Sequence, residues 1–282
     1  MNYPTGTQGW KAQLDLGFQK SADKTILARR SQSGPLTVQR PFYPEGDVCH
    51  LYLLHPPGGV VGGDELRINI KLEEQANVLI TTPGASKFYR SGCDKHPGRQ
   101  SSQTQILQVA NDCALEWFPQ ENIFFNHANC QLSTKIELDK KAHFMGWEIN
   151  CYGRPASGES FESGRVNTRF EVYRNKLPII LDGLTIGDNN ALSSAISLNG
   201  NACFGTFVAT QIKPELRDKA RLAVSHIQGS QQIGITLIDD ILIARCLGQY
   251  AEEVSTTLKL IWEILRPGTM GKNACQPRIW AT

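Results

Sequence analysis

The chain has 282 residues, 40% of them hydrophobic and 20% charged, which is enough for a substantial core in one or two domains and argues against disorder beyond the termini. Its 29 basic and 27 acidic residues are scattered, so the formal net charge of +2 comes without a basic run and nucleic acid is not the expected partner. No apolar run reaches the roughly 18 residues of a membrane span, and no charged segment followed by an apolar one opens the chain, so the expectation is a cytoplasmic protein.

Residues 10–18 alternate through Trp10, Ala12, Leu14, Leu16 and Phe18, the pattern of a half-buried strand, and residues 25–30 make a second. After a turn at 31–35, residues 36–41 return toward Pro41 and Pro44, which bar a helix. Residues 48–54 form a strand that feeds His55-Pro56-Pro57-Gly58-Gly59-Val60-Val61-Gly62-Gly63-Asp64. Two prolines and two glycine pairs specify a loop of special backbone, and the valines between the pairs point to a packed middle. A phosphate cradle would need a following lysine, and a dinucleotide fingerprint would need a different glycine spacing and a helix. Nucleotide binding is therefore not expected. The stretch reads either as a tight structural turn or as a turn that holds Asp64 at an interface or polar channel.

Residues 66–72 and 78–82 are strands, and the second runs into Thr81-Thr82-Pro83-Gly84-Ala85-Ser86-Lys87-Phe88-Tyr89-Arg90. Hydroxyls, a Pro-Gly turn, two cations and two aromatics so close together fit the binding of an anion, a peptide or a protein; equally, the aromatics could pin the loop. Residues 92–98 form a polar, glycine-rich loop. It holds Cys93 and His96, a close Cys/His pair that falls short of the ligands a structural zinc site needs. The eight cysteines are widely spaced without a C-x-x-C and are expected to be reduced. Residues 104–109 resume strand alternation. In the block from Leu115 through Glu116, Trp117 and Phe118 to Ile123, a carboxylate stands among large apolar groups and needs either a basic partner or a cation-handling role.

Residues 136–138 and 143–149 are strands, the latter carrying Trp147-Glu148, and residues 153–159 turn with Arg154 and Glu159 exposed. Residues 166–172, 179–181 and 202–210 continue the β pattern. Two segments have helical spacing. Residues 214–228 place Pro214 in the first turn, and residues 249–265 repeat Tyr250, Val254, Leu258, Ile261, Trp262 and Leu265, with Arg266-Pro267-Gly268 predicted to stop the helix. Between them a strand pair, 233–237 and 241–246, joins near Asp239-Asp240. The tail, with Arg278 and Trp280, is a docking element or a tucked-in end. G-x-S-x-G and H-E-x-x-H are missing, so hydrolysis is not expected.

Taken together, the blocks at 55–64, 81–90, 115–123 and 147–159, with Gly34-Pro35-Leu36, residues 38–45 and the tail, resemble the urease accessory protein family UreD, also called UreH. The resemblance runs in unbroken order from about residue 10 to the end. Gly84 stands where the family shows alanine and His127 where it more often shows glycine. The resemblance implies a single domain over 1–282 with an elongated, β-helix-like solenoid fold of many short strands and two α-helices in the C-terminal third. It also implies a non-catalytic nickel-insertion factor that bridges apo-urease to the helical accessory protein UreF and the GTPase UreG. No cofactor is expected to bind tightly, Ni²⁺ being cargo in transit. Carboxylates and water release Ni²⁺ more readily than thiolates or imidazoles, so Asp64, Glu116, Glu148 and Glu159 are the candidates for lining its path. Lys87, Phe88, Tyr89, Arg90, Arg154, Arg278 and Trp280 are the candidates for partner contacts. A docking scaffold that conducts no metal is the alternative, and poor solubility without partners is a further expectation.

Overall fold

The computed structural model describes residues 9–92, 98–187 and 192–281. Cys93 and His96 lie outside the described residues. Alternation of apolar and polar side chains governs the fold from the start. β1 (Lys11–Ser21) buries Ala12, Leu14, Leu16 and Phe18 and pairs antiparallel with β2 (Lys24–Ser33). β3 (Thr37–Val38) is shorter than the predicted strand, because Pro41 and Pro44 follow it, and lies antiparallel to β4 (Cys49–Leu54). The chain continues through β5 (Glu65–Leu72), β6 (Asn77–Thr81), β7 (Ser86–Phe88), β8 (Ser101–Val109), β9 (Ala114–Phe118), β10 (Asn122–Phe124), β11 (Asn129–Leu138) and β12 (His143–Arg154). After β13 (Glu159–Ser160) come β14 (Arg165–Arg174), β15 (Leu177–Ile186), β16 (Cys203–Ala209), α1 (Pro214–Ser225), β17 (Gln232–Ile238), β18 (Ile241–Gly248) and α2 (Ala251–Met270).

These strands make two open sheets. The first runs β15-β14-β11-β8-β5-β1-β2, with β1, β5, β8, β11 and β14 parallel and an antiparallel strand at each edge. The second runs β17-β18-β16-β12-β9-β6-β4-β3, parallel from β4 to β12, with β10 and β7 alongside β12. The chain thus passes back and forth between sheets, from β5 to β6, β8 to β9 and β11 to β12. Three stacked turns make these crossings alike: Ala76, Cys113 and Ala142 donate to the carbonyls of Glu73, Ala110 and Asp139 at 3.2, 3.2 and 3.1 Å. All three side chains are buried, and the turns bond to one another through Ala114 N–H to Ala76 O and His143 N–H to Cys113 O, each 2.9 Å.

One core fills the space between the sheets, where Leu16, Ile70, Leu107 and Ile136 meet Leu51, Ile80, Leu115 and Phe144. A second covers the outer face of the second sheet. Leu79, Met145, Trp147, Phe207 and Leu242 pack beneath Val254, Leu258, Ile261, Trp262 and Leu265 of α2. Each such side chain stabilises the fold by about 1.5–3 kcal/mol. The protein is mainly β with two helices, as read from the sequence. One boundary differs. The second helix does not stop at Arg266-Pro267-Gly268 but continues to Met270 and ends at Gly271, which takes the left-handed conformation (φ 66°). Pro267 sits in the last turn without the amide that would bond the Glu263 carbonyl, and Gly268 leaves room for Leu216: a Cβ there would meet it at 2.7 Å. No helix among the described residues is long and apolar enough to cross a membrane.

Candidate functional site

The glycine-rich loop at 55–64 is held between neighbours. Val60 is buried and pairs with β7, its N–H donating to Lys87 O at 2.7 Å while Tyr89 N–H donates to Val60 O at 2.9 Å; Val61 is exposed. The glycines permit this approach, since a Cβ on Gly59 would lie 2.2 Å from the Tyr89 ring. Asp64 closes the loop. It is buried, and its two oxygens accept the Trp10 and Val61 amides at 2.8 and 2.9 Å, so the carboxylate fastens the start of β1 to the loop.

Glu116, on β9, has the basic partner its surroundings demand, from 150 residues away. Arg266 of α2 is fully buried. Its Nε lies 2.9 Å and its Nη2 2.9 Å from the Glu116 oxygens, and Trp262 Nε1 donates to the same carboxylate at 2.6 Å. The guanidinium also grips Glu45, with Nη1 2.6 Å from Oε2 and Nη2 2.8 Å from Oε1, and donates to Asn273 O. Glu45 in turn meets His50 Nε2 at 2.7 Å. Burial alone would raise the Glu45 pKa, but hydrogen bonds from His50 and Arg266 and the Arg266 charge outweigh it and hold the carboxyl at about 2. Sequence reading missed Glu45, His50 and Arg266. The signal was available for Arg266, which stands four residues after Trp262 on the buried stripe of α2.

Glu148 is different, for no cation pairs with it among the described residues. It projects from β12 with Asn150 Nδ2 donating to Oε1 at 2.9 Å and the Thr134 hydroxyl 3.0 Å from Oε2. That hydroxyl also lies 2.9 Å from Gln105 Oε1. One hydroxyl hydrogen can serve only one acceptor, so a protonated Glu148 donating to Thr134, with Thr134 donating to Gln105, satisfies the chain. Burial pushes the Glu148 carboxyl above its usual pKa, and the Asn150 and Thr134 bonds offset this only in part. Asn122 extends the polar strip through Asn150 Oδ1 at 2.9 Å. Two cavities meet at this carboxylate. One, of about 280 Å³, runs from the 55–64 loop and Pro83-Gly84 past Gln103 and Gln105; the other, of about 520 Å³, opens past Asn150, Thr168 and Thr206 toward Asp182 and Arg245. Among the described residues Glu148 is the one common to both linings.

The remaining candidates, Phe88 apart, lie at or near the surface. Glu159 is exposed and paired with Arg154. Arg154 lies 4.8 Å from the Phe125 ring, and Tyr89 lies 4.9 Å from the same ring, so two blocks distant in sequence share one aromatic and cationic patch. Lys87 and Arg90 are exposed beside it, while Phe88 points inward onto Phe124. In the tail Arg278 is exposed. Trp280 is tucked in, packed against Phe118, Trp147 and Trp262 with its Nε1 donating to Thr81 at 2.9 Å. His127 has φ 65°, the backbone state that favours glycine at that position.

Comparison with known proteins agrees with these blocks. The family model described as UreD urease accessory protein matches residues 11–281. The urease accessory protein UreD of Alcanivorax borkumensis is 44% identical over 279 residues, covering 98% of this chain and 93% of that protein. Its counterpart from Aliivibrio fischeri is 43% identical over 287 residues, covering 99% and 98%, and that from Klebsiella aerogenes 40% over 279 residues, covering 99% of each. From its first strand to its tail, this chain belongs to the UreD family of urease accessory proteins.

Proposed function

We propose that this chain serves urease maturation in the cytoplasm as a single unit. In this reading it bridges apo-urease to the helical accessory protein UreF and the GTPase UreG and passes Ni²⁺ through its interior. The observation that carries the reading is Glu148: an unpaired, buried carboxylate, flanked by neutral amides and hydroxyls, at the meeting of two cavities. Oxygen donors of this kind hold Ni²⁺ loosely enough to release it. Burial disfavours the charged form of Glu148, so a cation that arrives displaces a proton from it and one that departs lets the proton return. Asp64 supports the path by shaping its glycine-rich entrance, and Glu116 by fixing α2 against the sheet. The winding of the chain between two sheets supports an elongated, β-helix-like body with such an interior.

A second reading, a docking scaffold without metal conduction, is favoured by the surface patch of Tyr89, Phe125 and Arg154. The patch and the exposed Lys87, Arg90 and Arg278 are the proposed partner contacts in either case. Glu148→Gln separates the readings, because it keeps the size and hydrogen bonding of the side chain and removes the carboxylate that a cation would bind. The chain and its Glu148→Gln variant are expressed with urease and the other accessory proteins, and complex recovery, urease nickel content and activity are measured. Intact complex with nickel-poor urease supports conduction. Full nickel loading with intact complex rejects it in favour of the scaffold.

A further inference from the structure

Behind the second sheet, away from the Glu148 cavities, three side chains of metal-ligating type converge. Glu45 stands in the turn between β3 and β4, His50 in β4, and Cys275 in the segment after α2. One ligand atom from each, a Glu45 oxygen, a His50 ring nitrogen and Cys275 Sγ, lie within 4.8 Å of one another. Bond lengths near 2.0–2.3 Å place tetrahedral ligand atoms roughly 3.5 Å apart, so the gap is about an ångström. Glu45 and Cys275 both lie outside the strands, in the β3–β4 turn and in the segment after α2, and a small shift of either closes the gap.

We propose that Glu45, His50 and Cys275 form a site for a thiophilic divalent cation of the Zn²⁺ and Co²⁺ class, separate from the interior passage. The charges favour it: Glu45 and Glu116 supply two negative charges against the single positive charge of Arg266. The hydrogen bonds also allow it. Arg266 is held by both oxygens of Glu116 and by Asn273 O, so Glu45 can turn Oε1 to a cation while Oε2 stays on Nη1. His50 is fully buried and its Nδ1 has no hydrogen-bond partner, so only the Nε2 side fixes its tautomer. Binding releases the Cys275 thiol proton to solvent and shifts the His50 proton from Nε2 to Nδ1, leaving a neutral imidazole and a thiolate on the ion. The fourth position is left to water. Such an ion ties the β3–β4 turn to the segment that leads into the tail, where Lys272 Nζ already meets Asp47 at 2.6 Å.

The test is a Co²⁺ titration of the full-length chain under reducing conditions, read by thiolate-to-cobalt charge-transfer absorption, with Zn²⁺ binding followed by equilibrium dialysis. The expected result is a saturable charge-transfer band that Cys275→Ser abolishes, with one ion fewer bound, and that Glu148→Gln leaves intact. His50→Gln, its fold checked by circular dichroism, is expected to weaken Zn²⁺ binding at least tenfold. A parent chain without the band, or a Cys275→Ser chain that retains it in full, overturns the proposal. So does unchanged Zn²⁺ affinity in a folded His50→Gln chain.

Discussion

Replacing Arg266 by methionine removes the one positive charge that two buried carboxylates share while keeping much of the side chain's volume. The Glu45 and Glu116 side chains are 9% and 5% exposed, so neither can recover its lost partner from water. Breaking a buried pair in this way costs about 3–5 kcal/mol. For a chain of this size that lowers Tm by about 6–10 °C, at about 2 °C per kcal/mol. The same network predicts an acid dependence. Glu45 is held at about 2 from an ordinary value of 4.5, a depressed pKa. Its contribution is therefore fully present above pH 4.5 and is lost as the pH falls toward 2. At about 1.4 kcal/mol per unit this amounts to about 3 kcal/mol, and Arg266→Met should flatten that part of the stability profile. Urea unfolding of both chains from pH 7 down to pH 2.5, with the slope on denaturant unchanged, makes the measurement. A variant within about 0.5 kcal/mol of the parent at pH 7 would refute the view that Arg266 is what makes these two carboxylates tolerable inside the protein.

Asp64→Ala leaves the Trp10 and Val61 amides without their acceptor and should cost about 2–4 kcal/mol, with faster hydrogen exchange at those two amides; unchanged protection there would mean that the loop is held by something else. Gly205→Ala should cost about 1–3 kcal/mol in denaturant unfolding, because its Cβ would stand 2.5 Å from Val254 Cγ1 and force α2 off the sheet. Gly183→Ala, whose nearest contact is 3.7 Å, should change stability by less than about 0.5 kcal/mol, and equal costs at the two positions would discount the close approach of α2.

What the sequence made legible was whatever repeats locally. Period-two alternation located β1, β5, β8 and β14, and period 3.6 located both helices, because each pattern is set by the residue's own neighbours along the chain. β7 and β10 escaped notice since three residues cannot display a period, although they carry the contacts to the glycine-rich loop and to β12. The site was legible in residue type and not in role. Glu148, Asp64 and Glu116 all stand in apolar or glycine-rich surroundings, yet one lacks a cation, one takes two backbone amides and one meets an arginine 150 residues on. Those partners come from other turns of the chain, where local spacing carries no information. Similarly, the pairing of Tyr89 and Arg154 around Phe125 depends on β7, β10 and β12 lying side by side.

The order in which the chain leaves the ribosome gives the outer face of the second sheet a particular vulnerability. Each parallel neighbour lies some way along the chain, with Glu65 opposite Ser102, Cys130 opposite Ser101 and Asn129 opposite Arg165, so the sheets can be assembled in the direction of synthesis, one loop closure at a time. The helix that shields Leu79, Met145, Trp147 and Phe207 is the last long element to be made. Until it emerges, a nascent chain with most of its strands in place presents a bare apolar sheet to every other such chain. Any truncation before residue 251 makes that state permanent, and a capture chaperone or slow translation should matter most over the final stretch of the message.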